Sequence, residues 1–232
     1  MKRRLSIALV VGTIAIAISP VAIAAESYLP IIEQAPHFSL TNVNGAEVGS
    51  AQLRGSVIVL TFMYTHCSSL CPLVTEEMKK IADRLGTEGL LGHGARLVSI
   101  SFDPARDTPR WLKTYSEAAG VDPSTWMFLS GTPEQTAALL KQYDFAAKPG
   151  PTGDYEHVSR IYLIDSDGRV RQIYSLSFLD AGLVVRDVKS LVAIGKAAPT
   201  MNRIDSNRGL AGATKPVALV AQSPADKQEV AK

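Results

Sequence analysis

Val57-Ile58-Val59-Leu60-Thr61-Phe62-Met63 runs without a break into Tyr64-Thr65-His66-Cys67-Ser68-Ser69-Leu70-Cys71-Pro72. The first seven residues are a short, continuous apolar run rich in β-formers, which predicts a strand buried on both faces. Beyond the cysteines, apolar positions at Leu73, Met78, Ile81, Ala82 and Leu85, with acids early and lysines in the middle, predict an amphipathic helix. Pro72 suits its first turn. Two cysteines four residues apart therefore stand where a buried strand hands over to a helix.

Strand and helix patterns then alternate. Leu97–Phe102 reads as a second buried strand, Thr108-Pro109 opens a helix, Met127–Leu129 reads as a short strand and Pro133–Tyr143 as a helix. Ser159–Ile164 and Val170–Tyr174 flank the turn-rich Asp165-Ser166-Asp167-Gly168, as in a hairpin, and a helix over Leu183–Ile194 follows. Upstream, the segment from Ala25 to Phe38 is polar and broken by proline, and Asn44-Gly45 lies between two strand-like runs, the pairing of a tight hairpin turn. Together these patterns indicate an α/β fold, thioredoxin-like, with a central mixed sheet flanked by helices and an added N-terminal β-hairpin.

The ends read differently. Met1-Lys2-Arg3-Arg4, the apolar Leu5–Ile18 and the small residues Ala22-Ile23-Ala24 have the layout of a secretory signal peptide over residues 1–24. An uncleaved anchor is the competing reading. It is opposed by Gly12, Thr13 and Pro20, which leave the apolar run short of the roughly 20 residues that span a bilayer. No cysteine lies near it to carry a lipid. Residues 25–198 form the expected folded domain. Residues 199–232, rich in Ala, Lys, Gln, Ser and Pro and without an aromatic residue, read as a disordered tail.

The chain has 24 basic and 22 acidic residues, and residues 1–24 hold three of the former and none of the latter. The remainder is nearly neutral, which argues against a nucleic-acid partner. Export to the periplasm, or to the outer face of the inner membrane, is the expected location, with membrane contact only through an uncleaved N-terminus.

An exported chain with two cysteines has too few for a disulfide framework, so Cys67 and Cys71 read as chemical rather than structural. A helix start lowers a thiol below its ordinary value of about 8.5. Four apart on a helix, two sulfurs share one face and can meet on a metal ion or on each other. Two thiolates are soft donors suited to Cu(I), and an imidazole would complete a site for Cu(I) or Cu(II). Of the four histidines, His66 adjoins Cys67, His37 precedes the first strand-like run and His93 sits between Gly92 and Gly94. His157, between a glycine-bearing loop and the strand at Ser159, is the remaining candidate, although position alone favours a plain surface or hydrogen-bonded histidine.

Three blocks carry a resemblance. Tyr64-Thr-His-Cys-Ser-Ser-Leu-Cys-Pro72, Ser101-Phe-Asp-Pro-Ala-Arg-Asp-Thr-Pro109, and Asp154-Tyr-Glu-His157 followed by Ile161-Tyr-Leu-Ile164 are similar, in order, to those of the Sco/SenC family. The likeness spans about residues 30 to 195, and three blocks together are far more specific than a C-x-x-x-C by itself. It implies a thioredoxin-like fold and copper held by Cys67, Cys71 and His157. It also implies delivery of copper to, or reduction of cysteines in, cytochrome oxidase, with an oxidase subunit or another cuproprotein, other copper chaperones and thiol reductants as partners. Asp103 matches an acidic position of the second block that could tune the site, although a turn carboxylate beside Pro104 explains it as well. His66 matches the motif without being one of the family's ligands and reads either as a neighbour that could assist thiolate formation when protonated or as a plain loop residue. Ser68-Ser69 stand where the family commonly has Pro-Asp, and Glu156 where it commonly has Asp.

Other readings remain on the same residues. A copper-independent thiol-disulfide oxidoreductase of the cell envelope needs only the two thiols, and a copper or redox sensor would use the same site to change a protein contact. A peroxidase is disfavoured because Leu60 and Tyr64 occupy the positions where a peroxidatic motif needs Pro and Thr. A structural zinc site is disfavoured because it normally takes four protein ligands.

Overall fold

This computed structural model describes residues 29–66, 70–150 and 154–197; of residues 70–72 and 197 it describes the backbone only. The expected signal segment 1–24 and tail 199–232 lie outside the described residues.

The described elements are β1 (Glu33–Gln34), β2 (Ser39–Asn42), β3 (Glu47–Gly49), β4 (Val57–Met63), α1 (Leu70–Thr87), β5 (Ala95–Ser101), α2 (Pro109–Ala118) and β6 (Trp126–Ser130). They continue with α3 (Pro133–Gln142), β7 (Ala147–Pro149), β8 (Tyr155–His157), β9 (Arg160–Ile164), β10 (Arg169–Ser175) and α4 (Ala181–Ala197). Eight strands form one mixed sheet in the order β1-β10-β9-β4-β5-β6-β2-β3, while β7 and β8 pair with each other in a separate two-stranded sheet. This is the expected thioredoxin-like α/β arrangement.

β4 sits at the centre, parallel to β5 on one side and antiparallel to β9 on the other. All seven of its side chains are buried, which is why the run tolerates no charge. Its one hydroxyl, Thr61, donates to Arg160 O across the antiparallel pairing at 2.9 Å, so the polar group is satisfied without water. Phe62 packs on Tyr143, Phe145 and Tyr162 with ring centroids 4.9–6.0 Å apart. Burial pushes the Tyr143 and Tyr162 phenols up, and Tyr162 remains a neutral donor to Tyr143 O at 3.2 Å. Helices α1 and α4 pack on each other and on β5 and β4. Met78, Ile81 and Leu85 of α1 and Val184, Val188 and Leu191 of α4 supply buried side chains there.

The expected hairpin is β2–β3. Asn42 Oδ1 accepts from Asn44 N and Ala46 N at 2.9 and 3.0 Å, and Gly45 takes the left-handed φ of 79° that the turn demands. Helix starts follow the sequence signals. Thr108 and Thr132 cap α2 and α3 with their hydroxyls, and a proline follows each.

Two features depart from the sequence reading. The proline-broken segment upstream of the hairpin is not merely a lead-in, since Leu29 is buried and β1 pairs with β10. What fixes it is a buried charge. Arg171 donates to Leu29 O and Pro30 O, and its guanidinium meets Asp165 at 2.9 Å. Asp165 also accepts from Asp167 N, Arg169 N and Arg169 Nε, closing the β9–β10 turn. The second departure is the β7–β8 sheet, where the sequence suggested only loop.

Asp165→Ala would leave the Arg171 guanidinium buried without its counter-charge, a change that typically costs about 3–5 kcal/mol. Urea unfolding should show a lower midpoint with an unchanged slope, and Asp165→Ala combined with Arg171→Met should lose less than the sum of the two single changes.

Candidate metal and thiol centre

The parallel strands β4 and β5 both end, at Met63 and Ser101, on the same edge of the fold. From β4 the chain passes through Tyr64, Thr65 and His66 to Cys67, and α1 opens at Leu70 with Cys71 as its second residue. Backbone amides in a first helical turn have no intrahelical acceptor, and together with the helix dipole they make a helix start a setting that in general favours thiolates. Cys67 and the Cys71 side chain lie outside the described residues, and so does the expectation that the two sulfurs share a helix face.

The approach to the cysteines hangs on one carboxylate. Asp107 has no exposed surface. It accepts from Thr65 N at 3.1 Å, from Thr65 Oγ1 at 2.5 Å and from Ser101 Oγ at 2.6 Å. Its own backbone N–H donates to Asp103 O, so the carboxylate is set by the turn between β5 and α2. A buried carboxylate is tolerated when several donors converge on it, and charge-assisted bonds of this kind are the strong ones. The result ties the residue two before Cys67 to the end of the neighbouring strand. Thr65 Oγ1 also accepts from Trp111 Nε1 at 2.7 Å, and the His66 ring stacks on Trp111 with centroids 5.4 Å apart. Sequence reading missed Asp107 and Trp111. The available signal was an acid immediately before the Thr108 cap.

His157 is the last residue of β8, not a loop residue as its surroundings in sequence suggested. Its partner strand β7 sets it opposite Ala147. The imidazole packs in an aromatic box made by Phe102, Tyr64 and Phe145, at centroid distances of 5.1, 5.9 and 6.1 Å. Tyr64 is three residues from Cys67, and Phe102 directly follows β5. The imidazole is thereby held where β4 and β5 end, beside the segment that leads to the cysteines.

The other expected residues fall as follows. Asp103 is buried and pairs with Arg106, which makes it the turn carboxylate of the plainer reading. It still reaches the site at one remove, because the Arg106 guanidinium lies over the Tyr64 and Tyr155 rings at 5.7 and 5.8 Å. His66 is exposed, with Nδ1 3.6 Å from Asp107 Oδ1 and 3.1 Å from Thr65 Oγ1. His37 contacts Ser50 Oγ at 3.2 Å, and His93 lies just before β5, at the opposite end of that strand from the site. Among the described residues no three His, Cys, Asp or Glu side chains converge as a metal site.

The SCO1/SenC family model matches residues 31–193, which is most of the described chain. The chain belongs to the SCO1/SenC family. The SCO1 protein homolog of Bacillus subtilis is 28% identical over 165 residues, covering 69% of this chain and 84% of that one. Bradyrhizobium japonicum ScoI, solved with copper bound, superposes with a TM-score of 0.59 at 32% identity, covering 68% and 99% of the two chains. BsSco superposes with a TM-score of 0.62 at 28% identity over 71% and 96%; it is described as having a disulfide switch and as a member of the Sco family of cytochrome c oxidase assembly proteins. These matches cover the SCO1/SenC domain and leave both ends of the chain outside.

Asp107→Asn in this SCO1/SenC domain would turn an amide NH2 toward donors that need an acceptor, at a cost of about 1–3 kcal/mol. In a Trp126→Phe background, where Trp111 is the remaining tryptophan, the emission of Asp107→Asn should shift to the red as the Thr65 bond to Trp111 loosens.

Proposed function

We propose that this protein binds copper through Cys67, Cys71 and His157 and serves the copper site of cytochrome c oxidase, either by handing over the ion or by keeping the acceptor cysteines reduced. The observation that carries the reading is the His157 imidazole, held in its aromatic box beside the segment leading to Cys67. A donor set of two thiolates and one imidazole suits copper in either oxidation state. Support also comes from a relative solved with copper bound and from one belonging to a family of cytochrome c oxidase assembly proteins.

The residues have separate tasks. Cys67 and Cys71 must be reduced to act as donors, and their deprotonation is assisted by the start of α1. His157 supplies the neutral third donor from another element of the fold. Transfer then proceeds by ligand exchange, as thiols of an acceptor replace those of Cys67 and Cys71 one at a time. Exchange with a disulfide of a partner protein would join the two sulfurs, leave that disulfide reduced to two thiols, and remove both thiolate donors together.

A second reading, a thiol-disulfide oxidoreductase that acts without copper, is favoured by the disulfide switch described for BsSco. It needs no part of His157. In either case the site is exported, facing the periplasm or the outer face of the inner membrane, on the evidence of the basic and apolar N-terminal segment. An oxidase subunit or another cuproprotein, other copper chaperones and thiol reductants are the fitting partners.

Copper titration of the reduced protein separates the two readings. One tightly held copper in wild type, with the thiolate-to-Cu(II) absorption lost in Cys67→Ser and sharply weakened in His157→Ala, is the expected result. If wild type holds no copper tightly, or His157→Ala binds as wild type does, the oxidoreductase reading takes over.

A further inference from the structure

The strand that carries His157 is not hydrogen-bonded into the main sheet. β7 and β8 form their own two-stranded sheet, three residues a side. A ladder of that length has little stability of its own and takes its position from what it packs against. The placement of His157 relative to the end of β4 is therefore a matter of side chains rather than of sheet register.

One side chain spans the gap. Tyr64 is the first residue after β4 and is buried. Its phenol donates to Asp154 Oδ1 at 3.3 Å and accepts from Tyr155 N at 3.1 Å. Tyr155 is the first residue of β8 and His157 its last, while the Tyr64 backbone leads through Thr65 and His66 to Cys67. The same ring packs edge-on against Tyr155 and against His157, at centroid distances of 5.2 and 5.9 Å. Arg106, paired with Asp103, lies over both tyrosine rings.

We infer that Tyr64 is a positioning residue whose hydroxyl clamps β8 to the end of β4 and so fixes His157 relative to the segment that leads to Cys67. Packing alone would locate the aromatic box but leave β8 free to slide along its own direction. The two hydrogen bonds remove that freedom, because the backbone N–H of Tyr155 and the Asp154 carboxylate meet the phenol oxygen from the chain itself. Phenylalanine would fill the same space and make neither bond. The Asp103–Arg106 pair gains a role here as well, since it braces the face of both rings.

The inference rests on His157 being a copper ligand, and the test is arranged so that the two can fail separately. Wild type, Tyr64→Phe, His157→Ala and Tyr174→Phe are compared. Tyr174 is a buried tyrosine whose hydroxyl bonds Asp187 at 2.7 Å beneath α4, so its loss matches the chemical change without touching the site. Three quantities are read: Cu(II) affinity, the EPR and visible spectra of the Cu(II) form, and the dithiol midpoint potential of the metal-free protein.

Tyr64→Phe should weaken Cu(II) binding about tenfold or more, the usual scale for loss of a group that orients a ligand. Its spectra should move toward those of His157→Ala while the dithiol potential stays at the wild-type value, and Tyr174→Phe should bind copper as wild type does. Wild-type affinity and spectra in Tyr64→Phe, alongside impaired binding in His157→Ala, would overturn the clamp and leave the copper reading standing. Unimpaired binding in His157→Ala would overturn both. Equal weakening in Tyr64→Phe and Tyr174→Phe would reduce the effect to general destabilisation and also overturn the clamp.

Discussion

Burial of β4 on both faces is the constraint from which the rest follows. A central strand flanked by one parallel and one antiparallel neighbour has no side that can carry a charge, so its seven residues are apolar apart from Thr61, whose hydroxyl finds a carbonyl across the ladder. Polar chemistry can begin only where the strand ends. Phe62 leans on the aromatic group from β9 and the turn after α3, and Tyr64, just past the strand, leans on the one around His157, so β4 and its exit serve both clusters.

At that end, side chains add to the last backbone bond of the ladder, from Phe102 N to Met63 O, in joining the elements. Asp107 collects donors from Thr65 and Ser101 and thereby ties the exits of β4 and β5 together. Tyr64 reaches across to β8, and Asp103 and Arg106 brace the rings from above. Each of these is a buried or half-buried polar contact with a specific geometry, so the segment leading to Cys67 is held in place before the first cysteine is reached. The opposite end of the sheet uses the same device for a different purpose, since the Arg171–Asp165 pair pins the N-terminal segment against β10.

Much of this architecture was readable in the sequence because it depends on local signals. The continuous apolar run marked β4, Thr108-Pro109 marked the start of α2, Pro133 that of α3, and Asn44-Gly45 the β2–β3 turn. β7 and β8 were not readable. Each has three residues, one contains a proline, and neither shows an apolar alternation that would signal a strand. The site divided in the same way. Cys67 and Cys71 stand out by type and spacing, while His157 needed the family resemblance to raise it above the other histidines. Asp107 and Tyr64 were hidden for a physical reason, since their partners lie 42 and about 90 residues away in the chain and nothing local distinguishes them from an ordinary turn acid or core aromatic.

The separateness of the β7–β8 sheet has an evolutionary corollary. Inserting or deleting one residue in a strand of the main sheet would turn its side chains to the wrong face from that point onward. The connection from β7 to β8 is under no such restriction. Length changes there alter the reach of His157 and leave every register of the eight-stranded sheet intact, so descendants of this scaffold can vary the placement of that histidine while inheriting the core unchanged.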